Sequence, residues 1–347
     1  MKIGIFAHAP GPQAEAIQEQ LNGMNDVECL FFDMALHPSA RVSLEASGIF
    51  WNGRDLTELD IAYIHGFSFM TPVVPSADTG RDWSVWQADY LAEQQTFSFL
   101  LSLFKELDRR GVTLVNPPDA HVRAFMKPSL LERFRRSGFS VPDLLCSNDL
   151  QEVEAFCRRH ETVLWRPASG RAAWQLFREK QKRHLVRKDA PPVLLAKCEE
   201  GPLRRRYGYE GRPLLELAYR PPRETPPETL EQFSHVEDPE GEWDPAALQE
   251  ASGARWAMVL FVKGKERSWV YDLDPDPMLD WLPLPYREHL VRALALALAG
   301  KEETVAWPPE LSPPLERPLF FLRRMLRILF DFERSKYGEP KQEEPTA

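Results

Sequence analysis

The sequence predicts a chain that is α/β in its first third and α+β after that. An α/β domain spans residues 1–118, a two-lobed α+β region follows over 119–300, and an amphipathic helix over 319–337 ends in a polar tail, 338–347. Three observations carry this. Short apolar runs alternate with helical stripes up to Pro117-Pro118, the pattern of a mostly parallel sheet covered on both faces. Beyond that pair, runs of β-branched and aromatic residues follow one another with few helical stripes between them. Five prolines between Pro308 and Pro318 then set the last apolar stripe apart as the far side of a linker, 301–318.

The elements follow in order. Lys2–Ala7 reads as a buried strand, broken by Pro10-Gly11-Pro12, and Ala16, Ile17 and Leu21 share one face of the helix after it. Val27–Phe32 and Leu59–Ile64 are further strands, and Asn52-Gly53 between apolar flanks is a hairpin signal. From Trp86 to Leu107 the stripe Phe97, Leu100, Leu101, Phe104, Leu107 is helical, and Val112–Val115 closes the domain as a strand. A helix carrying Leu130, Leu131 and Phe134 stops at Gly138. Asp149 with Glu152 three residues later forms a capping box for a helix to His160. Strands are expected at Val163–Arg166, Val193–Lys197, Arg204–Tyr209, Leu214–Tyr219, Ala257–Val262 and Ser268–Leu273, with a helix from Tyr286 to Ala299. Residues 221–250, rich in Pro, Glu and Asp, read as a surface loop.

Composition narrows the function. A net charge of −9 supplies no overall basic face to displace counterions, so no nucleic-acid partner is expected. The four cysteines, Cys29, Cys146, Cys157 and Cys198, lack CxxC spacing and read as reduced thiols. The N-terminus lacks a signal-peptide h-region, and no uncharged apolar run approaches the roughly 18 residues of a spanning helix, so a cytoplasmic chain is expected. No Walker loop, HExxH or Gly-x-Ser-x-Gly is present.

Four stretches, in this order, resemble the ATP-grasp superfamily, closest to its glutathione-synthetase and peptide-glutamate-ligase branch. They are FWNGRDL with LDIAYIHG, then LVNPPDAHVRAFMKPSLLERFRRSGFSVPDLLCSND, then VLWRP with SGR, and WAMVLFVKG through WVYDLDPDP. The resemblance implies a Rossmann-like leading domain and a two-lobed ATP-grasp domain. It also implies ATP and Mg²⁺ as cofactors and a small-molecule carboxylate or amine as substrate. In such a site cations offset the phosphate charge, carboxylates hold Mg²⁺, and an acyl phosphate is attacked by an amine.

Carried over residue by residue, Lys127 matches the first phosphate-side lysine and Arg166 stands at the second. Ser169-Gly170-Arg171-Ala172-Ala173 replaces the glycine-rich loop. Lys197 falls at the adenine hinge, and Arg205 and Arg220 match arginines that face the acceptor. Asp272 and Asp274 take the places of the metal-binding Glu and Asn, and alternate strand residues can share one cation. Leu260 stands where the preceding strand normally supplies a further carboxylate. His65-Gly66-Phe67-Ser68, after the third strand, is a candidate lining of an acceptor pocket, because open α/β sheets bind ligands at that edge.

Two readings stand side by side: a ligase that activates a carboxylate with ATP, and a catalytically degenerate relative that binds a nucleotide, a metabolite or a protein. A third takes Asp272-x-Asp274 as the metal pair of a nucleotide-sugar glycosyltransferase; its position after the second domain argues against it. The helix 319–337 has an apolar face including Phe321, Met325, Ile328, Leu329 and Phe332, to be buried on its own chain, a partner or a membrane surface.

Overall fold

The computed structural model describes residues 1–8, 11–36, 40–67, 83–168, 174–178, 182, 191–220, 230–236, 244–302, 305 and 315–318. The strands are β1 Lys2–Ala7, β2 Glu28–Asp33, β3 Val42–Leu44, β4 Ile49–Trp51, β5 Arg54–Asp55, β6 Ile61–Ile64, β7 Thr113–Val115, β8 Leu144–Ser147, β9 Val163–Pro167, β10 Gln175–Leu176, β11 Val193–Lys197, β12 Leu203–Tyr209, β13 Arg212–Arg220, β14 Leu230–His235, β15 Trp256–Lys263, β16 Ser268–Asp274 and β17 Leu315–Pro318. The helices are α1 Pro12–Asn22, α2 Trp83–Arg109, α3 Pro118–Phe125, α4 Lys127–Arg136, α5 Leu150–Arg159, α6 Pro245–Ser252 and α7 Leu284–Leu298.

The first sheet is parallel, in the order β2-β1-β6-β7. Its strands are apolar on both faces because both are covered. Ile3 and Ile5 pack with Ala14, Ile17 and Leu21 of α1. Phe6, Ala62, Ile64 and Leu114 pack with Leu100, Leu103, Phe104 and Leu107 of α2, together with Ile49 and Trp51. Asn52 and Gly53 turn the β4–β5 hairpin with φ of 50° and 79°, as the Asn-Gly pair predicts.

Two antiparallel sheets follow. One runs β10-β9-β11-β8 and is backed by Val153 and Phe156 of α5. The other runs β16-β15-β12-β13-β14-β17. Leu130, Leu131 and Phe134 of α4 pack with Val259, Val270 and Leu273 of that sheet, while Leu290, Leu294 and Leu298 of α7 pack in a cluster with Leu215 and Leu217. That second cluster also holds Ile3, Ile17 and Leu21. One core therefore joins the leading sheet to the last one through α1 and α7.

Three local expectations change. Residues 221–250 contain β14, paired with β13, and α6, whose Asp244 cap accepts from the Ala246 N–H at 2.9 Å. The pairing of β14 is long-range, so local composition hides it. The helix carries Asp, Pro and, at Gly253 (φ 74°), a left-handed stop, signals that its acidic surroundings obscured. The proline-rich linker contains β17, which pairs with β14 at the sheet edge, where proline is tolerated. In the capping box, Asp149 accepts from Gln151 N–H, but Glu152 accepts from the Ser147 hydroxyl, which in turn accepts from Asp149 N–H. The helix expected at 319–337 lies outside the described residues.

Candidate functional site

Three distant stretches meet at Asp272 near the end of β16. Lys127 begins α4, and its Nζ donates to Asp272 Oδ1 at 2.5 Å and to the Leu273 carbonyl at 3.0 Å. Arg166, in β9, donates from Nη1 to Asp272 Oδ2 at 2.5 Å. The side chains of Lys127, Arg166 and Asp272 are 4%, 0% and 15% exposed. Burial disfavours the Asp272 carboxylate, but the charges and hydrogen bonds of Lys127 and Arg166 outweigh it and hold its pKa below the usual aspartate value. Two cations around one carboxylate sum to one positive charge, the electrostatic condition for receiving a further anion. The Arg166 guanidinium also lies 5.6 Å from the Trp174 ring centroid, a cation–π contact that fixes its plane.

The remaining candidates sit at different places on the two antiparallel sheets. Arg205 of β12 pairs with Leu260 of β15, which pairs with Asp272. The three therefore form one cross-strand row on one face. Arg204 and Arg206 face the other way and both bind the buried Glu216 carboxylate, at 2.7 and 2.6 Å. Asp274 accepts from the Asp276 N–H at 3.0 Å inside the turn that ends β16. Lys197 ends β11 and donates to Glu199 at 2.9 Å, and its carbonyl accepts from the Tyr271 hydroxyl at 2.7 Å. It thus marks the passage from one antiparallel sheet to the other. Arg220 ends β13, paired with Gln232. Ser169 and Gly170 lie outside the described residues.

Mg²⁺ prefers hard oxygen donors and usually binds one or two carboxylates plus substrate phosphates. Among the described residues no group of three or more His, Cys, Asp or Glu side chains is placed to hold a metal ion. Asp272 and Asp274 are two oxygen-bearing side chains, fewer donors than an all-protein cage needs. Leu260, opposite Asp272, adds no donor.

Sequence reading missed the residues that anchor this turn. Asn116 donates to the carbonyls of Trp256 and Pro275 and accepts from the N–H groups of Arg255 and Trp256. Gln13 donates to the Pro277 carbonyl at 3.2 Å and accepts from Leu279 N–H at 2.7 Å. Asp276 continues the alternation Asp272-x-Asp274-x-Asp276, the one signal that pointed to it. It accepts from Gly66 N–H at 2.8 Å and lies 2.6 Å from His65 Nδ1.

No family model and no curated protein matches this sequence. Solved structures do. An ATP-grasp ligase, PsnB, solved with a phosphomimetic variant of its minimal precursor, Mg and ADP, aligns at a TM-score of 0.73 and 19% identity, over 86% of this chain and 97% of that one. The macrocyclase MdnC bound with precursor peptide MdnA, from Microcystis aeruginosa MRC, aligns at 0.66 and 15% identity, over 87% and 100%. A Chryseobacterium gregarium RiPP-associated ATP-grasp ligase, in complex with ADP and a leader and core peptide, aligns at 0.64 and 12% identity, over 87% and 98%. In fold, this chain is similar to ATP-grasp ligases.

Proposed function

We infer, from the ATP-grasp fold and the group Lys127–Asp272–Arg166, that this protein is an ATP-dependent ligase that joins a carboxylate to an amine or similar nucleophile through an acyl phosphate. The observation that carries the reading is the convergence of Lys127 and Arg166, from elements far apart in sequence, on one carboxylate. With ATP present, its phosphates would take over the two cations, and Asp272, released, would join Asp274 in holding Mg²⁺. Magnesium would supply charge neutralisation at the transferred phosphoryl group. Arg205 lies in the cross-strand row with Asp272, a place suited to the acceptor carboxylate or its phosphate. Neighbours of this fold were solved with precursor or leader and core peptides; we extend that partner class to this chain in place of a free small molecule.

Titration calorimetry with MgATP tests the site. Lys127→Ala removes a charge-assisted contact of about 1.5–3 kcal/mol, so ATP affinity should fall roughly ten- to a hundredfold. Unchanged affinity in the variant would mean that ATP does not use these cations. The second reading, a nucleotide-binding relative without turnover, is favoured by Leu260 opposite Asp272 and by the full enclosure of the Arg166 side chain. ATP binding with no ADP formed in the presence of acidic peptides would select it.

A further inference from the structure

The C-terminal ends of three adjacent parallel strands carry Asp33 on β2, His8 just after β1 and His65 just after β6. The His8 ring lies against Gly66, where an added Cβ would meet its Cδ2 at 3.7 Å. Asp276 reaches this edge from the turn after β16. One of its oxygens lies 2.6 Å from His65 Nδ1, and the other accepts from Gly66 N–H at 2.8 Å. The side chains of His65 and Asp276 are 15% and 2% exposed. Tyr63 stacks parallel to the His65 ring at 6.2 Å. Gln13 ties Tyr63 Oη and the Pro277 carbonyl together, both at 3.2 Å. The imidazole is thus held in one orientation by a buried carboxylate, itself fixed by two chain segments.

With Nδ1 facing a carboxylate, the neutral ring carries its proton there and its lone pair on Nε2. That is the arrangement by which a carboxylate orients a histidine for proton abstraction. Asp276 follows Asp272 by four residues, so their Cα atoms are no more than about 14 Å apart. That short stretch tethers the His65–Asp276 pair to the carboxylate that holds Lys127 and Arg166.

We propose that His65, oriented by Asp276, is the proton acceptor for a protic side-chain nucleophile, an amine or a hydroxyl, of a peptide acceptor. This rests on the ligase reading above. The acceptor's lone pair forms the new bond to the acyl carbon. The bond from that carbon to the phosphate oxygen breaks, and phosphate leaves with the electron pair. The acceptor's proton passes to His65 Nε2, and Asp276 offsets the imidazolium charge.

The test uses the full chain, MgATP and two equimolar pools of synthetic peptides, with Asp or Glu accompanied by Lys in one and by Ser or Thr in the other. Two products are read: ligated peptide, by loss of water in mass, and hydroxamate formed with added hydroxylamine. Hydroxylamine is unprotonated at neutral pH and needs no base to trap an acyl phosphate. His65→Gln should lower ligation by roughly a hundredfold or more and leave the hydroxamate rate near that of the wild type. Asp276→Asn should follow the same split with a smaller loss. The pool that reacts identifies the nucleophile. An equal fall in both products, or no fall in ligation, would overturn the proposal. Wild-type hydroxamate without ligation of either pool rejects a protic peptide nucleophile and the proposal with it. A wild type that forms neither hydroxamate nor ADP sinks the ligase reading itself.

Discussion

At the scale of single residues, Asp272 is the most exacting position. Its carboxylate separates two enclosed cations, and removing one member of a buried ion group costs far more than the group contributes in net stability. Asp272→Asn should destabilise the nucleotide-free protein by about 3–5 kcal/mol near neutral pH. The pKa is lowered in the fold, so this stability is fully present above the ordinary aspartate value of 3.8 and is lost as pH falls through the lower folded value. Urea denaturation of both proteins should therefore give a gap that narrows below about pH 4. A gap that widens on acidification would mean that Lys127 and Arg166 do not stabilise the charged form. Adding ATP without Mg²⁺ should raise the melting temperature of Asp272→Asn more than that of the wild type, because the phosphates replace the missing anion.

At the scale of elements, the passage from β11 to β12 is held by close backbone approach. Gly201 has φ +142°, and a Cβ there would collide with the Lys263 carbonyl of β15. Gly201→Ala should cost about 1–3 kcal/mol, and hydrogen exchange should locate the loss in β12 and β15. Uniform loss of protection across the whole chain would contradict a local clash. The edge of the last sheet makes a second element-scale case. β14 is covered by β17, and an uncovered strand edge recruits other chains. Deleting residues 316–347 removes most of β17 as well as the helix expected at 319–337. The truncated chain should melt lower or aggregate in light scattering; an unchanged melting temperature with a monomeric chain would show that neither segment protects the body.

At the scale of the whole molecule, the leading domain fixes the turn that carries the acidic residues. Asn116 is 1% exposed and bonds four backbone groups of β15, its approach and the turn after β16. Asn116→Ala leaves these buried groups without that partner, at about 1–3 kcal/mol for each left unsatisfied. Global stability in urea should fall by about 3 kcal/mol or more. Proteolysis should also become faster where the domains meet, and a variant with wild-type stability would mean that the domains are held by their shared apolar core alone.

Much of the fold was written locally. The apolar run Lys2–Ala7, the stripe of α2, the Asn52-Gly53 turn and the stop at Gly138, with φ of 87°, follow from hydrophobic patterning and from which residues tolerate positive φ. The order of motifs likewise placed Lys127, Arg166, Asp272 and Asp274 as one set. What local chemistry does not encode is pairing across long stretches of chain. β14 exists because β13 and β17 satisfy its backbone on its two sides, and β17 because β14 does, and neither has a periodicity strong enough to announce it. The same reason hid the bonds of Asn116 to β15 and its approach, of Gln13 to the turn after β16, and of His65 to Asp276, which join residues 139 or more positions apart. The sequence alone determined that two cations and a pair of aspartates would be available. Only the tertiary structure decided that Asp272 would pair with both cations while Asp276 turned to a histidine of the leading sheet, because burial makes every unpaired charge costly and the packed domains set which partner lies within reach.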